Sequence, residues 1–298
     1  MKNLIRLVVA WAAVILFWFY GAALLGDLSS PLWAVFVFLA LFSVIMWTAF
    51  GVVHEAEELA ELLGEPLGTL VLTLSIVGIE VALVAAVMLG DGASRTLGRD
   101  TMFAVLMIVL NGVVGVGLLV GGFRHREQSY NLQGAAAYLA VLIPLTSIAL
   151  ILPNFTTSTT GGTLTSFQAV SFSVFTVVLY GVFLMIQTGR HRKFFVLPTL
   201  GEEKNVAATE ATPPREKPAG VEVLRHTLLL LANILPIVLL SKSLAKVIDH
   251  GIHAFGAPPA LGGVVIAAIV FTPEGISAFR AVARNDLQRA LNLCLGAA

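Results

Sequence analysis

Along this chain the apolar residues neither alternate nor follow one amphipathic stripe. They fall in continuous blocks of about 18 to 25 residues. A helix needs that length to cross a hydrocarbon core of roughly 30 Å at about 1.5 Å per residue. Eight blocks read as membrane spans, near residues 4–25, 32–53, 66–89, 101–123, 135–152, 167–188, 224–248 and 258–280. A ninth apolar segment begins near Leu287 and reaches Ala298, about eleven residues, which reads as a truncated span. A backbone in lipid must satisfy its own hydrogen bonds, so these blocks are expected to be helices. Their continuity excludes a β-barrel, whose strands alternate. The expected fold is all-α and polytopic, with eight full spans and a truncated ninth.

Composition agrees with that pattern. Of 298 residues, 57% are hydrophobic and 12% charged, about half the charged share of soluble domains. Length alone would suggest about two soluble domains, and the apolar blocks overrule it. The formal net charge is zero, which suggests no nucleic-acid partner, and the apolar blocks make a lipid bilayer the expected one. The single cysteine, Cys294, excludes an intrachain disulfide framework and a multi-cysteine metal site. No cofactor is expected, and oligomeric state is not legible.

The N-terminus has a basic start, Lys2 and Arg6, followed by an apolar run from Leu7 to Leu25. A signal peptide is the alternative, but the run is long for one and no clear A-x-A site follows, so a retained helix is expected. Between spans six and seven, Gly189 to Val223 is polar and holds Arg190, Arg192, Lys193, Pro213, Pro214 and Pro218. That composition reads as a flexible linker dividing the chain into two halves. With the N-terminus in the cytoplasm, 14 of the 18 Lys and Arg residues fall on the inner side and 4 on the outer. The positive-inside rule selects that orientation.

Which residues carry chemistry? A carboxylate at membrane depth is costly and marks function by default. Glu80 lies 15 residues beyond Glu65, and Glu274 lies 16 beyond Pro258. Each is then about 22 to 24 Å along its span. Span three enters from the cytoplasm and span eight from outside, so the two glutamates ride helices of opposite direction. That is the mark of an inverted repeat with a midplane site. Each follows a helix-weakening residue, Gly78 before Glu80 and Pro273 before Glu274. Proline has no N–H for the Ile269 carbonyl, which can face a cation or the Thr272 hydroxyl. Gly78 would loosen its helix and admit close backbone approach. A kinked packing helix whose glutamate bonds a neighbour is the alternative. Oxygen-rich sites suit hard cations, and protons compete for the same carboxylate oxygens, which predicts cation/proton exchange.

Other polar positions are weaker. Asn111 and Asn292 could donate a carbonyl or orient a glutamate, or simply bond another helix. Gly112, Gly115 and Gly117 read as packing positions. The acidic stretch His54 to Glu61 reads as a connector that is either merely solvated or concentrates cations; with Glu58 in place of histidine it is no H-E-x-x-H motif. His250 and His253 read as outer-loop histidines, and Asn154-Phe155-Thr156 fits a glycosylation pattern. A channel or an intramembrane enzyme are the competing classes. A channel needs a continuous water path. For an enzyme there are no paired aspartates and no serine–histidine pair at one depth.

Three stretches also carry a resemblance: Leu63-Gly64-Glu65-Pro66-Leu67-Gly68-Thr69 leading to Glu80; Arg99-Asp100-Thr101-Met102-Phe103-Ala104-Val105 through Leu110-Asn111-Gly112; and Phe271-Thr272-Pro273-Glu274-Gly275 through Arg284-Asn285-Asp286-Leu287. On these the chain resembles the calcium/cation antiporter superfamily, specifically the bacterial ChaA-type calcium/proton antiporters. The resemblance implies an extra N-terminal helix (1–30), a first repeat (31–188), a cytoplasmic linker (189–223) and a C-terminally truncated second repeat (224–298). It implies two inverted five-helix repeats, eleven spans in the whole protein, and a glutamate at the centre of each repeat motif, matching Glu80 and Glu274. It implies a bacterial inner-membrane protein that exchanges calcium, or in some members sodium or potassium, for protons.

Overall fold

The computed structural model describes residues 2–64, 67–88, 96–159, 162–189, 192–195 and 220–297. Every regular element among them is a helix: α1 (Lys2–Gly26), α2 (Pro31–Leu63), α3 (Leu67–Met88), α4 (Leu97–Met107), α5 (Val114–His125), α6 (Leu132–Thr146), α7 (Ser166–Thr188), α8 (Gly220–Ala254), α9 (Ala260–Ala283) and α10 (Leu287–Ala297). A π-helical turn (Ile108–Val113) joins α4 to α5 into one apolar stretch, Leu97–His125. A second (Ser147–Ile151) and a 3-10 turn (Leu152–Phe155) extend α6. Eight of these helical stretches are long and apolar enough to cross a membrane, as the blocks of sequence require.

The chain forms two compact units, and neither is a sequential half. The first holds Met1–Ile108 and Glu216–Pro273, the second Val109–Arg215 and Glu274–Ala298. In the first unit α2 packs chiefly on α8, with α3 beside both and α1 against α8 and α2. The faces that meet repeat every three or four residues: Val37, Leu41, Ile45, Val52 and Ala56 on α2, and Leu230, Ile237, Leu240, Leu244 and Ile248 on α8, all buried. In lipid, van der Waals fit rather than water exclusion holds such faces together. Two indoles add ties, Trp11 Nε1 donating to the Ala232 carbonyl at 3.1 Å and Trp33 Nε1 to the Leu24 carbonyl at 3.0 Å.

The stretch expected to be a connector after residue 53 is instead the end of α2. Its buried stripe continues through Val52, Glu55, Ala56 and Leu59, so packing against α8 carries the helix on. It stops at Gly64, whose φ of +65° places it in the left-handed region and lets its N–H bond the Ala60 carbonyl. At 33 residues α2 is about 50 Å long, longer than the hydrocarbon core, so its polar end projects beyond it. His250 and His253 likewise sit in the last turns of α8 rather than in a loop.

In the second unit α7 begins with a capping box, Thr165 and Gln168 bonding each other's backbone N–H. Its outward face is apolar, with Phe167, Val170, Val174, Val177, Val178, Val182 and Met185 all exposed. A soluble helix reverses that arrangement, whereas lipid accepts it. The linker is not uniformly detached. Its residues Arg192–Phe195 form a 3-10 turn, and Phe195 packs on Tyr138 and Phe183 with ring centroids 5.2 and 6.0 Å away. The last residues read as linker, 220–223, belong to α8. Residues 190, 191 and 196–219, with Arg190, Pro213, Pro214 and Pro218, lie outside the described residues, as do Glu65 and Pro66.

Of the packing glycines, Gly117 fits its expectation, since a Cβ there would meet Val282 Cγ2 at 3.4 Å. Nothing among the described residues lies within 4 Å of a Cβ built on Gly112 or Gly115; they sit in or beside the π-helical turn. The tight crossing is elsewhere: a Cβ on Gly263 would come within 2.7 Å of the Asp100 carbonyl carbon and the Thr101 nitrogen. Backbone cannot move aside as a side-chain tip can. Gly263→Ala is therefore expected to destabilise the protein by about 1 to 3 kcal/mol. Gly251→Ala, in α8 with open space around it, should be neutral or gain up to about 1 kcal/mol. Thermal unfolding of the purified protein in detergent measures both.

Candidate cation site

The two glutamates occupy matching places in their own helices. Glu80 is the fourteenth residue of α3 and Glu274 the fifteenth of α9. Each is thus about 20 Å from the start of its helix. Glu80 belongs to the first compact unit and is partly buried; Glu274 belongs to the second and is only 7% exposed. The Oε2 atom of Glu274 is buried and has no hydrogen-bond partner among the described residues. A buried polar atom without a partner costs free energy that folding alone has no reason to spend. It is the strongest local sign of a ligand-directed group in the second unit.

Each glutamate follows a helix-weakening residue, and both helices nevertheless run through it. α3 runs continuously from Leu67 to Met88 through Gly78, and α9 from Ala260 to Ala283 through Pro273. Beyond the backbone of its own helix and its chain neighbours, no described atom lies within 4 Å of a Cβ built on Gly78, so the space beside it is open. One proline removes a single ladder bond, the one to Ile269, and a long apolar helix tolerates that loss. The Thr272 hydroxyl does not turn to Ile269. It donates to the Ala268 carbonyl at 2.6 Å, a back-bond that bends helices. Two successive carbonyls one turn before Glu274 are therefore altered: Ala268 takes a hydroxyl, and Ile269 has no amide proton to receive from Pro273.

The asparagines part ways. Asn111 lies in the π-helical turn Ile108–Val113 and is exposed. Such turns recur at functional positions because the wider ring leaves backbone groups unpaired. Asn292 is occupied: its Nδ2 donates to the Phe195 carbonyl at 2.7 Å, and its Oδ1 accepts from Gln288 Nε2 at 2.9 Å. Gln288 Oε1 in turn accepts from the Asn131 backbone N–H at 2.6 Å. Asn292 thus ties α10 to the turn after α7 within the second unit. Of the residues sequence reasoning passed over, Thr48, Thr101 and Ser241 are buried but bond their own helix backbones. Glu55 is different: it is 2% exposed and lies on the packed face of α2 with Thr48, Val52 and Leu59. That stripe of small and apolar residues at helical spacing is the signal that could have found it.

These features define a class first, an integral membrane protein of packed apolar helices with a carboxylate set deep in each compact unit. The chain belongs to the sodium/calcium exchanger protein family, whose sequence profile matches residues 33–189. Over 253 residues it is 42% identical to a protein of Sinorhizobium fredii provisionally named an ionic transporter, covering 84% of this chain and 66% of that one. Over 258 residues it is 36% identical to the sodium-potassium/proton antiporter ChaA of Escherichia coli, covering 85% and 67%. The chain thus spans about two thirds of the length of these relatives. Its fold is similar to the crystal structure of the H+/Ca2+ exchanger CAX, with a TM-score of 0.64 and 15% identity, over all of this chain and 70% of the other. The relatives are transporters, and the chain is a membrane transporter of cations by family rather than an enzyme.

The unpartnered Oε2 separates a ligand site from a packing glutamate. A glutamate that bonds a neighbour stabilises the fold, whereas an unpartnered buried one opposes it. Glu274→Gln should therefore leave the melting temperature unchanged or raise it, by the equivalent of about 1 to 3 kcal/mol. A large loss of stability in that variant would assign Glu274 to packing.

Proposed function

We propose that the protein exchanges an inorganic cation for protons by alternating access, with Glu80 and Glu274 as shared cation and proton ligands. The reading rests first on Glu274, a carboxylate kept deep and only partly satisfied in a helix whose neighbouring carbonyls are perturbed by Pro273 and Thr272. Carboxylates and backbone carbonyls are the ligands hard cations take, and carboxylates alone among them also carry protons. That pairing supports exchange over a channel, which has no need of a group that alternates between the two.

Calcium is the cation we favour. Oxygen ligands with two negative charges suit a divalent ion, and the solved structure of similar fold is named an H+/Ca2+ exchanger. Sodium or potassium is the second reading, supported by the name of the Escherichia coli relative. The distribution of Lys and Arg supports an N-terminus in the cytoplasm of a bacterial inner membrane, with the linker on the same side. The two-repeat organisation, 31–188 and 224–298, is part of the same proposal, as are supporting roles for Gly78 and Asn111.

Ion flux in everted vesicles carrying the full-length protein tests the reading. Imposed proton gradients should drive saturable uptake of calcium, with sodium and potassium compared across pH. Glu80→Gln and Glu274→Gln should each reduce exchange to the level of vesicles without the protein. Normal exchange in either variant would refute its assignment, and flux that needs no proton gradient would favour a channel.

A further inference from the structure

A second group of ionisable side chains is buried in the first unit, far along the chain from both transport glutamates. On α2, Glu55 is 2% exposed. Its Oε2 accepts from His226 Nδ1 on α8 at 2.8 Å, and its Oε1 accepts from Asn3 Nδ2 on α1 at 3.2 Å. Arg6, one turn further along α1, has Nε and Nη1 buried without hydrogen-bond partners among the described residues. Asn233 Oδ1, two turns beyond His226 on α8, is likewise buried and unpartnered. Gly51 makes the room: a Cβ there would lie 2.8 Å from Arg6 Cδ and 2.9 Å from Asn233 Oδ1. Three helices therefore meet on one carboxylate.

We propose that Glu55 and His226 form a second proton-binding site, at which a proton on the imidazole locks α1 and α2 onto α8. Imidazole changes charge between about pH 5 and 8. Protonated, His226 makes a direct charge-assisted hydrogen bond to Glu55, roughly twice as strong as its neutral counterpart. Neutral, it leaves the buried carboxylate with one neutral donor on α8, Asn3 on α1, and the more distant charge of Arg6. The other charges nearby do not replace it. On α2, His54 is half-buried and Glu57, Glu58 and Glu61 are exposed; on α8, Glu222 and Arg225 are exposed. On α1 the facing charge is Arg6, which already bears on Glu55 in both states, and the first three turns of α3, Leu67 to Val77, carry none. Arg6 also disfavours a second cation. The 2.8 Å contact of His226 outweighs it, because Coulomb energy falls with distance and Arg6 makes no hydrogen bond to Glu55 through its buried Nε and Nη1.

The sign follows. The charge-assisted pair exists only in the folded state, so its contribution is present while His226 carries a proton and is lost when it does not. The melting temperature of the purified full-length protein should fall by about 3 °C or more from pH 5.5 to pH 8, as an effect of roughly 1 kcal/mol would give. His226→Gln, which keeps an N–H donor for Glu55, and Glu55→Gln should both flatten that profile. Parallel profiles in wild type and His226→Gln would overturn the proposal, whatever either does in transport. Should both variants fail to fold, hydrogen–deuterium exchange at the histidine C2 position in the unaltered protein decides: titration of His226 between pH 5 and 8 supports the site, and an imidazole that does not titrate there sinks it.

Discussion

A hydrocarbon interior offers no water to a backbone amide, and every other feature of this protein sits inside that constraint. Each polar main-chain group in a span must find a partner within its own segment or a neighbour. The result is a chain whose regular elements, among the described residues, are all helices. Exceptions to the ladder then carry information, because each is costly in lipid. Among the described residues they include the π-helical turn at Asn111, the π-helical turn after Pro144, Pro236 inside α8 and the proline at 273. Pro144 accounts for the second, since its missing N–H lets the helical register slip beyond it. Pro236 lies in the packed middle of α8, and the remaining two fall at Asn111 and beside Glu274, both singled out for their chemistry.

The same constraint separates the two buried glutamates among the described residues. Glu55 is met by a histidine and an asparagine from two other helices. Glu274 keeps one oxygen without any such partner among the described residues. A protein that could bond Glu55 so fully had the means to bond Glu274, and the incomplete satisfaction of Glu274 is the observation on which its proposed role rests. Charged groups inside membrane helices are retained where function needs them. Here one acts as cement between helices α1, α2 and α8, and the other as a candidate ligand.

Packing determines where such groups can be held. α2 and α8 meet along most of their length, and small residues let polar side chains enter between them: Gly51 admits Arg6 and Asn233, and Gly263 lets α9 cross the start of α4 backbone to backbone. In the second unit a chain of amides, Asn131 to Gln288 to Asn292, ends on the carbonyl of Phe195 and holds the beginning of the linker against α6, α7 and α10.

Local properties of the chain were legible in the sequence. Apolar blocks give eight spans because span length is a property of single segments, and Glu80 and Glu274 stand out because a carboxylate in an apolar run is anomalous wherever the helix packs. Three stretches of sequence carried the family likeness for the same reason. What neighbours do to a residue was not legible. The acidic end of α2 reads as a solvated connector until α8 is laid beside it, when Glu55 turns inward and Glu57, Glu58 and Glu61 outward. Asn292 reads as a possible ligand until Phe195 is found bonded to it. Proline and glycine read as weak points, yet α9 and α3 continue through them, because one lost hydrogen bond is small against the rest of a long helical ladder. Segment hydrophobicity is encoded residue by residue, whereas partner choice depends on which faces meet, and only tertiary packing decides that.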